Sequence, residues 1–118
     1  MTLNEYQALA LKTASGKDKN NEFFHLVLGL VGEAGEIAEK VKKLVRDQDS
    51  DLAKLDKDDI AKELGDVLWY IATLGSFLDY DLEQIGQLNI DKLADRQARG
   101  KIKGKGDNRG FAPKYLPS

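Results

Sequence analysis

The chain has 118 residues, of which 42% are hydrophobic and 32% charged, and this is the composition of a single soluble domain. It contains no cysteine and one histidine, which excludes disulfides and thiolate chemistry and argues strongly against a structural zinc site. No apolar run reaches the length of a membrane span, and the N-terminus has no basic-then-apolar signal segment. We therefore expect a cytoplasmic protein that does not bind membranes.

The net charge of −2 conceals an uneven distribution along the chain. Residues 1–91 carry 10 Lys and Arg against 18 Asp and Glu, whereas residues 92–118 carry 8 against 2. A basic end often contacts nucleic acid, but the acidic body would repel a polyanion. We therefore expect a small phosphorylated ligand, held between the acidic body and the basic end, rather than a nucleic acid.

The first half of the chain predicts two helices. Thr2-x-x-Glu5 is a capping-box pattern that opens a helix near Leu3, and the apolar stripe of this helix stops near residues 15–16. After a polar connector, apolar residues repeat at helical spacing over residues 22–47. This long segment predicts the second helix.

The second half of the chain predicts two more helices. The third follows a charged loop, has Asp56 or Asp58 as its cap, and runs to about Leu78. The fourth has Asp81 as its N-cap and ends near Gly100, beyond which the sequence is rich in Gly and Lys. With no convincing strand pattern, the expected architecture is an all-α bundle of about four helices.

The expected domain organisation follows from this division. Residues 1–100 form a single all-α catalytic domain, and residues 101–118 form a basic, mobile C-terminal segment. The long helices carry apolar residues on more than one side, which a chain this short cannot bury alone. We therefore expect oligomerisation to complete the core.

Four carboxylates are the most informative feature of the chain. Glu33 and Glu36, the first carboxylate pair, lie on the second helix, and Glu63 and Asp66, the second pair, lie on the third. Residues three apart share a helix face. If the two faces meet, four acids crowd together, and burying them is costly unless a cation neutralises them. Oxygen ligands favour Mg²⁺, with Mn²⁺ as the alternative, and the absence of Glu-x-x-His disfavours a di-iron site.

Taken alone, each carboxylate pair is typical of a solvated helix face. Two observations favour a metal site: the flanking residues are apolar or small, and Gly29, Gly32 and Gly35 interrupt the second helix beside the first pair. Each glycine costs about 1 kcal/mol relative to alanine. We expect a neighbouring helix or a ligand to approach the backbone closely there.

Residues on neighbouring turns are candidate substrate contacts. His25 precedes Glu33 by eight residues, and Tyr70 follows Asp66 by four, so both fall near the faces that carry the acids. The ordinary alternatives are a plain helix histidine and a core aromatic residue. For Trp69, beside Tyr70, a core position is the better expectation.

A row of polar residues marks the fourth helix. Asn89, Lys92 and Arg96 are spaced to share one face, and all three side chains can donate hydrogen bonds to a polyphosphate. The alternative is a solvated face. Lys103 and Arg109 belong to the basic segment that we expect to fold over the bound phosphorylated ligand.

The order of the two carboxylate pairs resembles the MazG-like family of all-α nucleoside triphosphate pyrophosphohydrolases, whose signature is Glu-Glu-x-x-Glu followed by Glu-x-x-Asp. The resemblance covers roughly residues 22–110, and the stretches that carry it are 28–36, 63–70, 89–93 and 104–109. One departure is that Gly32 stands where the family has the first Glu of the doublet.

The resemblance implies the Mg²⁺-dependent conversion of an NTP and water to an NMP and pyrophosphate. The implied role is the removal of aberrant or surplus nucleotides. The resemblance implies that Glu33, Glu36, Glu63 and Asp66 hold the metal, and that one of them, or a residue behind them, orients the attacking water. It also implies a homo-oligomer, a dimer or a dimer of dimers, in which two subunits complete each site. The base pocket is expected at the N-terminal helix and loop.

Two other classes of function stay open. One is a non-catalytic helical interaction or regulatory module with a degenerate metal site, and the other is an RNA-binding helical protein that uses residues 92–118. A P-loop NTPase is excluded, because the chain has no Gly-x-x-x-x-Gly-Lys-Ser/Thr sequence.

Overall fold

The computed structural model of this chain describes residues 1–15 and 20–103, with side chains described as far as residue 100. Within these residues the fold contains α-helices and one short 3₁₀ helix, and no strand. The α-helices are α1 (Leu3–Thr13), α2 (Glu22–Asp47), α3 (Lys57–Phe77) and α4 (Leu82–Lys103), and the 3₁₀ helix is Leu52–Lys54. The predicted all-α fold is confirmed.

The starts of α1 and α3 follow predicted capping residues. Thr2 and Glu5 form a complete capping box, in which the Thr2 N–H donates to Glu5 Oε1 at 2.6 Å and the Glu5 N–H donates to Thr2 Oγ1 at 3.1 Å. The cap of α3 is Asp56, whose Oδ1 accepts from the Asp59 N–H at 3.0 Å. Asp58 lies inside the first turn instead.

Two helix ends differ from the prediction. Helix α1 stops at Thr13, because Ala14 has extended backbone and its N–H closes the last turn on the Leu11 carbonyl at 3.2 Å. Helix α4 continues to Lys103 through Gly100, since a single glycine costs a helix only about 1 kcal/mol and does not end it. The start and end of α2 agree with the prediction.

Helices α2 and α3 form an antiparallel hairpin. The rings of Phe23, near the start of α2, and Phe77, at the end of α3, are 5.7 Å apart. Toward the other end of the hairpin, Lys40 Nζ lies 2.6 Å from Asp59 Oδ2. The two carboxylate pairs lie between these contacts, so the packing of the hairpin decides how they meet.

A buried glutamine ties α1 to the rest of the first unit. Gln7 Nε2 donates to the Ala72 carbonyl at 2.9 Å and to the Tyr80 carbonyl at 3.2 Å, and Gln7 Oε1 accepts from the Leu82 N–H at 3.1 Å. Buried amides need such partners. The contacts fix α1 against α3 and against the turn that follows it.

The chain divides into two compact units. The first is Met1–Leu82, which contains α1 to α3, and the second begins at Glu83 and contains nearly all of α4. The catalytic domain of residues 1–100 stays a prediction. None of the helices in the described ranges is long and apolar enough to cross a membrane.

Candidate functional site

The α2–α3 hairpin brings three of the four predicted acids together. Glu33, Glu63 and Asp66 each place a carboxylate oxygen within 4.8 Å of the others. We call these three residues the acid cluster. Oxygens on opposite sides of one Mg²⁺ lie about 4.2 Å apart, given ligand distances near 2.1 Å. The limit of 4.8 Å is slightly longer than this separation, so small side-chain shifts would let the acid cluster hold a single divalent cation.

Glu36 lies beside the acid cluster and outside it. It is exposed on α2, one turn after Glu33, and its oxygens are not part of the group that meets within 4.8 Å. Its charge nevertheless contributes to raising the pKa of Glu33. The four-ligand set stays a prediction, with three members gathered by the fold.

The acid cluster brings three like charges close together. Partial burial, followed by the charges of Asp66 and Glu63, raises the pKa of Glu33. Glu63 Oε2 is buried and has no hydrogen-bond partner within the described part of the chain. A buried carboxylate oxygen without a partner is costly, and a hard divalent cation is the natural ligand for three carboxylates. These residues fit such a cation.

Two side chains near the acid cluster were missed by the sequence analysis. Lys40 Nζ lies 3.7 Å from Glu63 Oε1 as well as 2.6 Å from Asp59 Oδ2. The sequence could have predicted this position of Lys40, because a residue seven after Glu33 lies on the same helix face. Tyr6 of α1 is also close, since burial and then the charge of Asp66 raise the pKa of its phenol.

A cavity of about 610 Å³ opens between α1, α2 and α3 of the first unit. His25 and Tyr70 both line it, so the structure brings these two predicted contacts together. Tyr70, in the wall of the cavity, lies one turn after Asp66 on α3. The end of α1 contributes Thr13 to the wall, as expected if the N-terminal helix forms a base pocket.

Trp69 is half-buried and also lines this cavity, so its core position stays a prediction. Its indole N–H donates to Thr13 Oγ1 at 2.7 Å, and its ring meets Tyr70 edge to face with centroids 4.9 Å apart. The hydroxyl of Thr13 in turn donates to the Ala10 carbonyl at 2.7 Å. This chain of hydrogen bonds fixes the orientation of the indole. Only the tertiary fold, which brings α1 against α3, reveals it.

The close approach expected at the glycines of α2 occurs at one of them. A Cβ on Gly29 would overlap the ring of Tyr70, so a larger residue would force this ring to move. A Cβ on Gly32 or Gly35 would meet no atom within 4 Å in the described structure. Both glycines are exposed, so the backbone of α2 is open to solvent there.

The predicted phosphate contacts lie on α4. Asn89, Lys92 and Arg96 are helical and share one face, which confirms their spacing. They belong to the second unit, so a role at the acid cluster stays a prediction. The α4 backbone ends at Lys103, whose side chain lies outside the described residues, as does all of Arg109.

The hairpin, its acid cluster and the adjoining cavity describe an all-α protein with three carboxylates that could hold a metal ion. Residues 22–100 match the MazG nucleotide pyrophosphohydrolase domain, and the chain belongs to this family. Members generally use a divalent metal.

A curated relative covers nearly the whole chain. The Gene 37 protein of Mycobacterium phage L5 is 45% identical over 114 residues, which cover 92% of this chain and 100% of that protein. Its name states no activity. No solved structure matches the chain.

Proposed function

We propose that this protein is a divalent-metal-dependent nucleotide pyrophosphohydrolase that converts a (d)NTP and water to a (d)NMP and pyrophosphate. The observation that carries the proposal is the acid cluster with its buried, unpartnered Glu63 oxygen, in a chain of the MazG family. Transfer at phosphorus depends mainly on alignment and charge neutralisation. Clustered carboxylates meet that requirement once a cation binds.

The four acids would have two different roles. Glu33, Glu63 and Asp66 would hold Mg²⁺, with Mn²⁺ as the alternative, and the bound cation would neutralise charge on the phosphates. Glu36, exposed beside the cluster, is the best-placed carboxylate to orient the attacking water and accept its proton. Water would attack the α-phosphorus, and the bond to the bridging oxygen would break to release pyrophosphate.

The cavity would hold the nucleoside. It adjoins the acid cluster through Tyr70 and offers aromatic surface from Trp69, together with the polar side chain of His25. Aromatic rings bind the flat face of a base, and polar groups at the wall give orientation. Asn89, Lys92 and Arg96 would meet the outer phosphates, because carboxylates cannot neutralise them.

A second copy of the chain would complete the core. Phe24, Leu28 and Val31 are 60%, 69% and 64% exposed and recur on one face of α2. Gly35 follows Val31 by one turn and has open space beside it, so another helix could approach the backbone closely there. Exposed apolar patches of this kind mark interaction sites. A homo-oligomer, a dimer or a dimer of dimers, would bury the face.

Light scattering tests the oligomer. Leu28→Glu should convert the assembly to monomers, whereas Leu52→Glu, at a residue 72% exposed on the 3₁₀ helix, should leave it intact. A parent protein that is monomeric and fully active would refute the shared core.

The central experiment is product identification. The full chain is incubated with a panel of (d)NTPs in Mg²⁺, in Mn²⁺ and in EDTA, and the products are separated by ion-exchange chromatography. We expect a (d)NMP and pyrophosphate from at least one substrate, only with metal. NDP and orthophosphate as first products would overturn the assignment. Metal binding without turnover of any substrate would favour a non-catalytic module.

The proposed cellular role is removal of aberrant or surplus nucleotides in the cytoplasm. The preferred substrate in the panel would define which nucleotide is removed. RNA binding that weakens steeply with salt would instead support a role for residues 92–118 in contacting nucleic acid.

A further inference from the structure

Lys40 connects two carboxylates that lie one turn apart on α3. Its Nζ is 2.6 Å from Asp59 Oδ2 and 3.7 Å from Glu63 Oε1. The three side chains are 31%, 43% and 18% exposed, so Glu63 is the most buried of them. The ammonium therefore lies at the edge of the acid cluster without belonging to it.

The two oxygens of Glu63 have different surroundings. Oε1 faces Lys40, whereas Oε2 is buried without a hydrogen-bond partner in the described structure. The terminal torsion of a free glutamate has a broad range. An attraction at Oε1 narrows that range, and one oxygen of Glu63 lies within 4.8 Å of oxygens of Glu33 and Asp66. Glu63 thus presents one oxygen to the position that a cation would occupy.

Asp59 explains why a lysine can stand so close to a cation site. The short bond to Asp59 is charge-assisted and holds the ammonium at the end of its flexible stem. It also balances the charge of Lys40, so that the pair repels an incoming cation less than a lone ammonium would. At 3.7 Å, beyond hydrogen-bond distance, Lys40 leaves the lone pairs of Glu63 available for a metal.

We propose that the Lys40–Asp59 ion pair is a positioning element of the metal site, which orients Glu63 so that Oε2 faces the bound cation. The proposal rests on the proposed function only in taking Glu63 as a metal ligand. A purely structural ion pair would join α2 to α3 and affect stability alone. A positioning pair changes the affinity of the folded protein for metal.

The test is Mn²⁺ affinity without nucleotide, measured by electron paramagnetic resonance and calorimetry on the full chain. Lys40→Met should weaken Mn²⁺ binding by about 10-fold or more, the usual scale for losing a residue that orients a metal ligand. Lys43→Met removes the same charge one turn away and should bind as the parent does. Lys40→Arg, which keeps the charge and can still meet Asp59, should retain most of the affinity.

Asp59→Asn is the second variant. Without its anchor, Lys40 is free to bond Glu63 directly and compete with metal, so Mn²⁺ binding should weaken by more than the loss of one nearby negative charge explains. Asp58→Asn removes an equal charge from the first turn of the same helix and is the control. In a Glu63→Gln background, Lys40→Met should have little further effect on Mn²⁺ affinity, because the residue acts through Glu63. Circular dichroism checks that each variant is folded. If the Lys40→Met protein is unfolded, the Mn²⁺ affinity of the Asp59→Asn protein is compared with that of the parent instead.

The outcomes separate the two proposals. Folded Lys40→Met and Asp59→Asn proteins with the Mn²⁺ affinity of the parent would overturn the positioning role, even in an enzyme that hydrolyses (d)NTPs as proposed. A parent that binds Mn²⁺ and loses affinity on Lys40→Met, yet releases pyrophosphate from no (d)NTP, would overturn only the pyrophosphohydrolase assignment.

Discussion

The acidic α2–α3 hairpin and the basic end of the chain differ in how their charged side chains are brought together. The hairpin gathers like charges that repel one another, and side chains from two helices must pack in one arrangement to bring them together. The basic residues of α4 are spread along a single helix by its local geometry, with no packing required to align them. Cation binding is therefore proposed for the hairpin and phosphate binding for α4.

Removing a member of the acid cluster should have the largest effect. Asp66→Asn takes away a carboxylate that meets Glu33 and Glu63 within 4.8 Å, so we expect loss of Mn²⁺ affinity and at least about 100-fold lower kcat/KM. Asp58→Asn, in the first turn of the same helix, is the matched control. A variant that unfolds would show that the acid is structural.

Glu36→Gln tests whether Glu36 orients water while the acid cluster binds the metal. Glu36 lies outside the acid cluster, so turnover should fall by about 100-fold while Mn²⁺ affinity changes little, as expected for a residue that orients water. Calorimetry with Mn²⁺ and steady-state kinetics give the two readouts. Equal losses of affinity and turnover would place Glu36 among the metal ligands instead.

Lys92→Ala tests the basic region. Loss of a charged phosphate contact costs about 1.5–3 kcal/mol, so kcat/KM should fall at least tenfold with Mn²⁺ affinity unchanged. Lys57→Ala, an equal change of charge at an exposed position on α3, is the control. A parent-like kcat/KM for Lys92→Ala would identify the α4 row as a solvated face.

Truncation after Gly100 should act more mildly, mainly through KM. The segment it removes includes Lys103 and Arg109, and ordering such a segment over a ligand offsets part of what its contacts contribute. Steady-state kinetics on the truncated chain check this. A large fall in kcat with unchanged KM would assign the segment a role in the chemical step.

The smallest effect that we expect is on the stability of the metal-free protein, and Glu33→Gln measures it. The pKa of Glu33 is raised on folding, so the native state holds the proton more tightly than the unfolded state. Its contribution to stability falls as pH rises from the ordinary glutamate pKa through the raised one. At neutral pH in EDTA, Glu33→Gln should melt higher than the parent, and the difference should vanish in acid.

Glu39→Gln, exposed on the same helix, provides the control for this measurement. Thermal unfolding across the acid-to-neutral range, followed by circular dichroism, gives the comparison. Destabilisation by Glu33→Gln at neutral pH would mean that the charged form is favoured by the fold, contrary to the repulsion within the acid cluster.

The sequence alone determined the helices and the two carboxylate pairs. The capping box at Thr2 and Glu5 set the start of α1, and the apolar period set both ends of α2. These features depend on residues within a few positions of each other, because helix hydrogen bonds and caps are local. Spacing likewise placed each carboxylate pair on one face.

Only the tertiary structure decided which of these residues meet. Lys40 and Asp59 are 19 residues apart, and Trp69 and Thr13 are 56 apart, so no local rule pairs them. The rotation of α2 and α3 about their axes is set by packing, including the fit of Tyr70 against Gly29. That rotation placed Glu33 inside the acid cluster and left Glu36 outside it.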